Sequence, residues 1–297
     1  MTRLPTSGSV PISTLLSQRP APLSIIFASH ARWPLSPDSP RSESGPSSER
    51  PLSITVLDSS FNPPHAAHRA LGETSTRGTD AQLLAFSLTN ADKQLDQKDL
   101  HHRLEMMRAM AIDLHRGAGG RPGNGKWNNV AVAVLDAATF VKKSQVLNSE
   151  IKSLLREEHA LENAEPEFEF AVGWDTLIRI FATRYYPRPG PDLATSMDTF
   201  LSTNRSSLVC ARRGSTAADT ASFAAQEEDE FMSRDEVDKW VRRGNLRLVD
   251  LEDESVRTIS STEIRAAVKA GEWDRVEQMV PFPSVIDVIK RERLYLG

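Results

Sequence analysis

The chain has 297 residues, a formal net charge of −4, an isoelectric point near 6.0 and a single cysteine, Cys210. That length suits one large α/β domain with appendages or two small domains, and the mild acidity gives no electrostatic case for a nucleic-acid partner. One thiol excludes an internal disulfide or a cysteine metal cluster and suits a reducing compartment, cytoplasmic or nuclear, while the absence of a long apolar run argues against a membrane-spanning helix.

Residues 1–51 stand apart from the rest. Eleven of the eighteen prolines lie at or before Pro64, and the tract from Pro34 to Pro51 is rich in Ser, Pro, Arg and Glu with little to bury. It reads as a disordered linker. Ahead of it, residues 12–16 and 23–28 are short apolar pieces expected to dock on the main domain as a helix. The segment has no acid before Asp38 and carries Arg3, Arg19 and Arg32, as transit peptides do. Its prolines interrupt any long amphipathic helix, so an extension is expected in preference to a mitochondrial import signal.

From Ser53 onward, strand-like and helix-like runs alternate. Strands are predicted at 54–57, 82–88, 130–135, 168–172, 207–211 and 246–251. Helices are predicted between them at 68–74, 100–115, 145–159, 176–183 and 234–243, followed by 261–270, 274–279 and 284–293. Continuous apolar strands separated by helices imply a parallel sheet covered on both faces. The expected class is therefore α/β, a Rossmann-like doubly wound parallel sheet with C-terminal helices, forming one domain over 52–297 behind a partly disordered N-terminal extension. Two stretches read as surface insertions. One runs from Pro187 to near Ser206, and the other from Gly214 to Ser233, where Glu227-Glu228-Asp229-Glu230 reads as a solvated face.

Chemistry gathers where predicted strands meet predicted helices. After the first strand comes Ser59-Ser60-Phe61-Asn62-Pro63-Pro64-His65-Ala66-Ala67-His68, a tight turn into a helix with His65 and His68 three residues apart on one face. A helix N-terminus favours anions, and two imidazoles beside it make a place for phosphate oxygens. After the last strand, Thr258-Ile259-Ser260-Ser261-Thr262-Glu263-Ile264-Arg265 reads as an N-cap with a capping box, Arg265 lying one turn inside the helix. Val172-Gly173-Trp174-Asp175-Thr176-Leu177 is a third strand-to-helix corner, with Asp175 expected at the N-cap and Trp174 either stacking on a base or covering the core. Beyond the second strand, Thr89-Asn90-Ala91-Asp92-Lys93 places a lysine in a loop at a strand's carboxyl end. Ligands bind at that end of such sheets.

Two lures fail on physical grounds. Gly120 to Lys126 fits the start of a P-loop, but Trp127 stands where a hydroxyl must meet Mg²⁺, and the segment precedes a strand. His101, His102 and His115 lack carboxylates at ligand spacing on one face and read as ordinary helix residues.

The corner strings resemble those of the nucleotidylyltransferase superfamily, whose members carry an S/T-F-[ND]-P-P-H-x-x-H turn and an I-S-S-T-x-I-R helix start, and within it nicotinamide mononucleotide adenylyltransferases. The likeness runs in order from about Leu52 to Tyr295. Ser59 departs from it, standing where the family usually has glycine. The resemblance implies transfer of AMP from ATP to nicotinamide mononucleotide, giving NAD and pyrophosphate. His68, assisted by His65, would stabilise the α-phosphate, while Lys93 and Arg265 would hold the leaving pyrophosphate. Ser59, Ser60, Phe61, Asn62, Gly173, Asp175, Ser260, Ser261 and Thr262 would border ATP with Arg265. Mg²⁺ would bridge the triphosphate oxygens with few or no protein ligands. The acceptor site is blurred: the family's Trp–Glu pattern is absent, and Trp174, Phe140 and Thr139 are its candidates, with Lys143 an alternative polar partner. Two other readings stay open: a cytidylyltransferase acting on a phosphorylated alcohol, and an ATP-binding regulatory protein whose transferase activity has decayed. Oligomeric state is open, a homo-oligomer included.

Overall fold

The structure, a computed structural model, describes residues 21–37, 51–74, 78–89, 97–117, 127–186, 190–212, 226–251 and 253–296. Its sheet contains β1 (Leu23–Ala28), β2 (Ser53–Asp58), β3 (Ala81–Ser87), β4 (Val130–Leu135), β5 (Glu167–Gly173), β6 (Ser206–Ala211) and β7 (Leu246–Val249). Their spatial order is β1-β4-β3-β2-β5-β6-β7. Strands β2 to β7 are parallel and β1 pairs antiparallel to β4. Numbered among themselves, the parallel strands run 3-2-1-4-5-6, the doubly wound order whose direction reverses between β2 and β5. The expected class is what the structure shows.

Burial explains why the strands read as continuous apolar runs. Every residue of β4 and of β6 is buried, as happens when helices cover both faces. One face, including Ile54, Val56, Phe168, Phe170 and Leu208, packs with α3 (Phe140–His159), α4 (Trp174–Ile180) and α5 (Leu193–Asp198). The other, including Leu57, Leu84, Phe86 and Val132, packs with α2 (Gln97–Arg116), α7 (Ser261–Ala270), α8 (Trp273–Met279) and α9 (Pro283–Arg291). The described helices also include α1 (Ala66–Glu73) and α6 (Asp235–Arg242). None of the described helices is long and apolar enough to cross a membrane.

Three expectations need correction. Residues 23–28 form an edge strand and not a docked helix, with Leu23 opposite Leu135 and Ala28 opposite Ala131. Six residues are too few for a stable helix on their own, whereas the unpaired edge of β4 offers a ladder of backbone partners. The chain that follows is tied down too: Trp33 is fully buried and its Nε1 donates to the Gln82 carbonyl at 3.3 Å.

The stretch read as a polar insertion before Ser206 contains α5 and a π-helical turn, Thr199–Thr203. Met197, Phe200 and Leu201 are buried; their spacing of three and four is a helical stripe hidden among Ser and Thr. In the acidic block, Glu227, Asp229 and Glu230 are exposed, but Glu228 is buried and its Oε2 accepts from Arg212 Nη1 at 2.8 Å.

The P-loop lure falls outside the described residues, but Trp127 has a clear part. Its Nε1 donates to Glu73 at 3.0 Å, and its ring fills the space where a Cβ on Gly72 would sit, 2.5 Å from Cη2. Neither the buried indole nor the helix backbone has room to yield. Gly72→Ala is therefore expected to cost about 1–3 kcal/mol through overpacking; thermal denaturation of the variant measures it, and an unchanged melting temperature would refute the clash.

Candidate active site

The site forms at the carboxyl ends of β2 and β5, where the sheet order reverses. Leu57 pairs with Ala171, so two residues further on Ser59 and Gly173 leave the sheet side by side. Doubly wound folds hold their ligands at such a reversal of strand order.

The first corner is built around two buried imidazoles. His65 is the N-cap of α1, and its backbone N–H donates to His68 Nδ1 at 3.1 Å. That bond makes Nδ1 an acceptor, so the neutral ring carries its proton on Nε2. Nε2 lies 2.8 Å from Ser59 Oγ, and its N–H therefore donates to that oxygen. The His68 ring is 3.9 Å from that of His65 and 4.9 Å from that of Phe61. Phe61 is fully buried and takes φ +44°, an uncommon conformation for an aromatic residue that a functional turn can hold when its side chain is anchored. His65 Nδ1 is buried without a hydrogen-bond partner among the described residues.

The second corner meets the first. Ser260 caps α7 by accepting from the Glu263 N–H at 3.2 Å, as expected. The reciprocal half of the capping box is not made; the Glu263 carboxylate turns to Arg275 at 2.6 Å. Ser261 Oγ donates to the Pro63 carbonyl at 3.2 Å, and Arg265 Nη1 donates to the Asn62 carbonyl at 2.7 Å. Arg265 Nη2 also donates to Thr262 Oγ1 at 3.1 Å. Two turns about 200 residues apart in sequence are thus joined by two hydrogen bonds, with a guanidinium beside the imidazole turn. Arg103 of α2 adds a second guanidinium to this neighbourhood; burial lowers its pKa first, Asp99 opposes that, and Arg265 adds to it.

A buried ion pair lies one residue before the first corner. Lys143 Nζ binds Asp58 Oδ2 at the end of β2, with both side chains under a tenth exposed. Ser87 Oγ donates to the other carboxylate oxygen at 3.3 Å, and the ammonium lies 4.5 Å from the centre of the Phe140 ring. Lys143 is thus taken up by a carboxylate. Asp58 went unread because a polar residue ending an apolar strand is common. Lys143 did carry a signal: it sits on the stripe formed with Phe140, Leu147, Ile151 and Leu155, where a charge must find a partner.

The remaining candidates scatter in role. Ser60 is exposed, and Asn62 is half-buried. At the third corner the N-cap is Gly173, with Asp175 exposed as the second helical residue; its charge still favours the helix N-terminus. Trp174 is 4% exposed and packs edge-on against Phe231 at 5.3 Å, so its ring covers the core. Thr139 caps α3 by accepting from the Lys142 N–H at 3.3 Å, and Phe140 packs edge-on against Phe170 at 5.7 Å. Lys93 lies outside the described residues.

The imidazoles give the fold a pH signature. Burial lowers the His65 pKa from 6.5 to about 4. Burial, then the neighbouring His65, holds His68 well below its usual value. The unfolded chain takes up these protons near pH 6.5 while the folded chain resists them, so stability is complete above 6.5 and falls as pH drops towards 4. His65 alone should account for roughly 3 kcal/mol across that window. Urea unfolding of wild type and His65→Asn between pH 7 and 4 checks this, since the asparagine variant should lose less stability on acidification.

No protein-family model matches the chain. A Schizosaccharomyces pombe protein, named provisionally as a nicotinamide mononucleotide adenylyltransferase, is 28% identical over 240 residues, covering 80% of this chain and 84% of that one. Among solved structures, Plasmodium falciparum nicotinic acid mononucleotide adenylyltransferase complexed with NaAD aligns with a TM-score of 0.48 and 15% identity, over 82% of this chain and 97% of its own. Thermotoga maritima TmcAL bound with alpha-thio ATP aligns with a TM-score of 0.33 and 12% identity, over 82% of this chain and 56% of its own. Over most of both lengths, the chain is thus similar to a protein named as a nicotinamide mononucleotide adenylyltransferase.

Proposed function

We propose that the protein transfers the adenylyl group of ATP to the phosphate of a pyridine mononucleotide. An acceptor phosphate oxygen attacks the α-phosphorus in line, the bond to the α,β-bridging oxygen breaks, and pyrophosphate leaves. The acceptor supplies its own oxyanion, so no protein nucleophile is required; the chain's work is alignment and charge neutralisation. The observation that carries this reading is the meeting of the two corners through the Arg265–Asn62 and Ser261–Pro63 bonds. A helix N-terminus, an imidazole N–H and a guanidinium then face one polyanion.

In this reading a phosphate oxygen takes the Nε2–H of His68 that Ser59 holds in the free protein. Arg265, with Lys93 from the loop after β3, receives the pyrophosphate. Mg²⁺, when bound, offsets triphosphate charge. The Asp58 carboxylate beside the turn is engaged by Lys143, which fits an ion that arrives on the nucleotide. Nicotinamide mononucleotide is the acceptor proposed first, because the S. pombe relative is named for it; the acid form is its competitor.

The test is incubation of purified protein with Mg·ATP and each mononucleotide, followed by chromatography for dinucleotide and pyrophosphate. NAD formation with a preference for the amide acceptor supports the reading in full. Turnover only with CTP and a phosphorylated alcohol would replace it with the cytidylyltransferase alternative. Tight ATP binding without product across acceptors would replace it with a regulatory role.

A further inference from the structure

Asn62 is gripped from two sides, and only one grip belongs to the corner already described. Beyond α9, Arg293 and Tyr295 both take positive φ, +52° and +65°, conformations that non-glycine residues adopt infrequently. The Leu294 N–H donates to the Ile289 carbonyl at 3.0 Å, closing the reversal. Leu294 and Tyr295 pack on the core face that carries α2. The reversal delivers the Tyr295 hydroxyl to Asn62 Oδ1 at 2.6 Å, 233 residues away in sequence.

Tyr295 is the donor in that bond. Burial pushes its hydroxyl well above the ordinary phenol pKa, so it keeps its proton throughout the working pH range. A donor fixed on Oδ1 settles which way the carboxamide faces. The Asn62 NH₂ is left turned away from Tyr295, with no partner among the described residues. The backbone carbonyl of the same residue accepts from Arg265.

We propose that Tyr295 is a positioning residue for nucleotide binding: it locks the Asn62 carboxamide so that its NH₂ donates to a phosphate oxygen of ATP. This role rests on the nucleotide reading above, though not on the identity of the acceptor. A phenol that merely anchored its own segment would affect melting and leave ATP affinity alone.

Calorimetric titration of Mg·ATP into the full chain separates these cases. Tyr295→Phe should weaken ATP binding about fivefold to twentyfold, the range expected when a hydrogen bond to a charged group loses its orientation. Asn62→Ala should weaken it at least as much. Because one residue acts through the other, the double variant should bind no more weakly than Asn62→Ala alone. Unchanged affinity in Tyr295→Phe, or additive losses in the double variant, would overturn the proposal. If Tyr295→Phe does not fold, Asn62→Ala is decisive: it removes the carboxamide and should weaken ATP binding at least about fivefold. ATP binding by Asn62→Ala equal to that of wild type would refute the assigned contact. Wild type that binds ATP but forms no product sinks the transfer reaction and leaves this test intact. Wild type that does not bind ATP takes both down.

Discussion

Replacing His68 with alanine is expected to lower kcat by roughly 10² to 10⁴ while the protein stays folded, the usual yield of one preorganised group acting on developing charge. The size of the loss follows from how little freedom the ring has. Its Nδ1 is held by the His65 N–H, its faces meet Phe61 and His65, and its single proton points at Ser59. For a phosphate oxygen to take that proton, only the Ser59 hydroxyl would have to give way while the ring stays in place. Burial keeps the free ring neutral, so it enters as a dipole and not as a fixed charge; a polyanion beside it then favours protonation. Steady-state kinetics with a circular-dichroism melt on the same preparation decide the matter. Turnover within twofold of wild type would show that His68 is structural.

The second large effect concerns stability. Lys143→Met should cost about 3–5 kcal/mol, because it leaves the Asp58 carboxylate buried without its counter-charge. That is a large share of the 5–15 kcal/mol that holds a typical domain together. The double variant Asp58→Asn, Lys143→Met should regain much of the loss, since no unpaired charge remains. Urea denaturation of the two variants gives the comparison directly. A single variant as stable as wild type, or a double variant no better than the single, would mean that the pair is not the buried contact described. The pair also bears on function. In the proposed reading, an unpaired carboxylate one residue before Ser59 would repel a triphosphate, and Lys143 would remove that repulsion.

Much of this was legible in the residues because two periodicities differ so plainly. The parallel strands are buried on both sides and spell unbroken apolar words such as Val-Ala-Val-Ala-Val-Leu at 130–135, while the helices alternate at 3.6. Prolines and caps then mark the joins, and Ser260 took its predicted place at the start of α7. Three kinds of information stayed hidden. Segment 23–28 is apolar on both faces and too short to declare its type, so only the open edge of β4 could decide it. Asp175 resembled an N-cap, but Gly173 ended β5 in the required extended backbone, so the helix began two residues sooner. Asp58 with Lys143 and Asn62 with Tyr295 are partnerships across 85 and 233 residues; local pattern identifies a charge that needs a companion without naming which one.

The placement of β1 has a practical outcome for handling the chain. Bonded along β4, it acts as a selvedge: it occupies backbone groups that would otherwise recruit extended segments from other molecules. A shortened version beginning near Leu52 would keep both strand-to-helix corners, yet present Val130–Leu135 as a bare, wholly apolar margin. Such a fragment should precipitate on expression even though nothing of its chemistry has been removed.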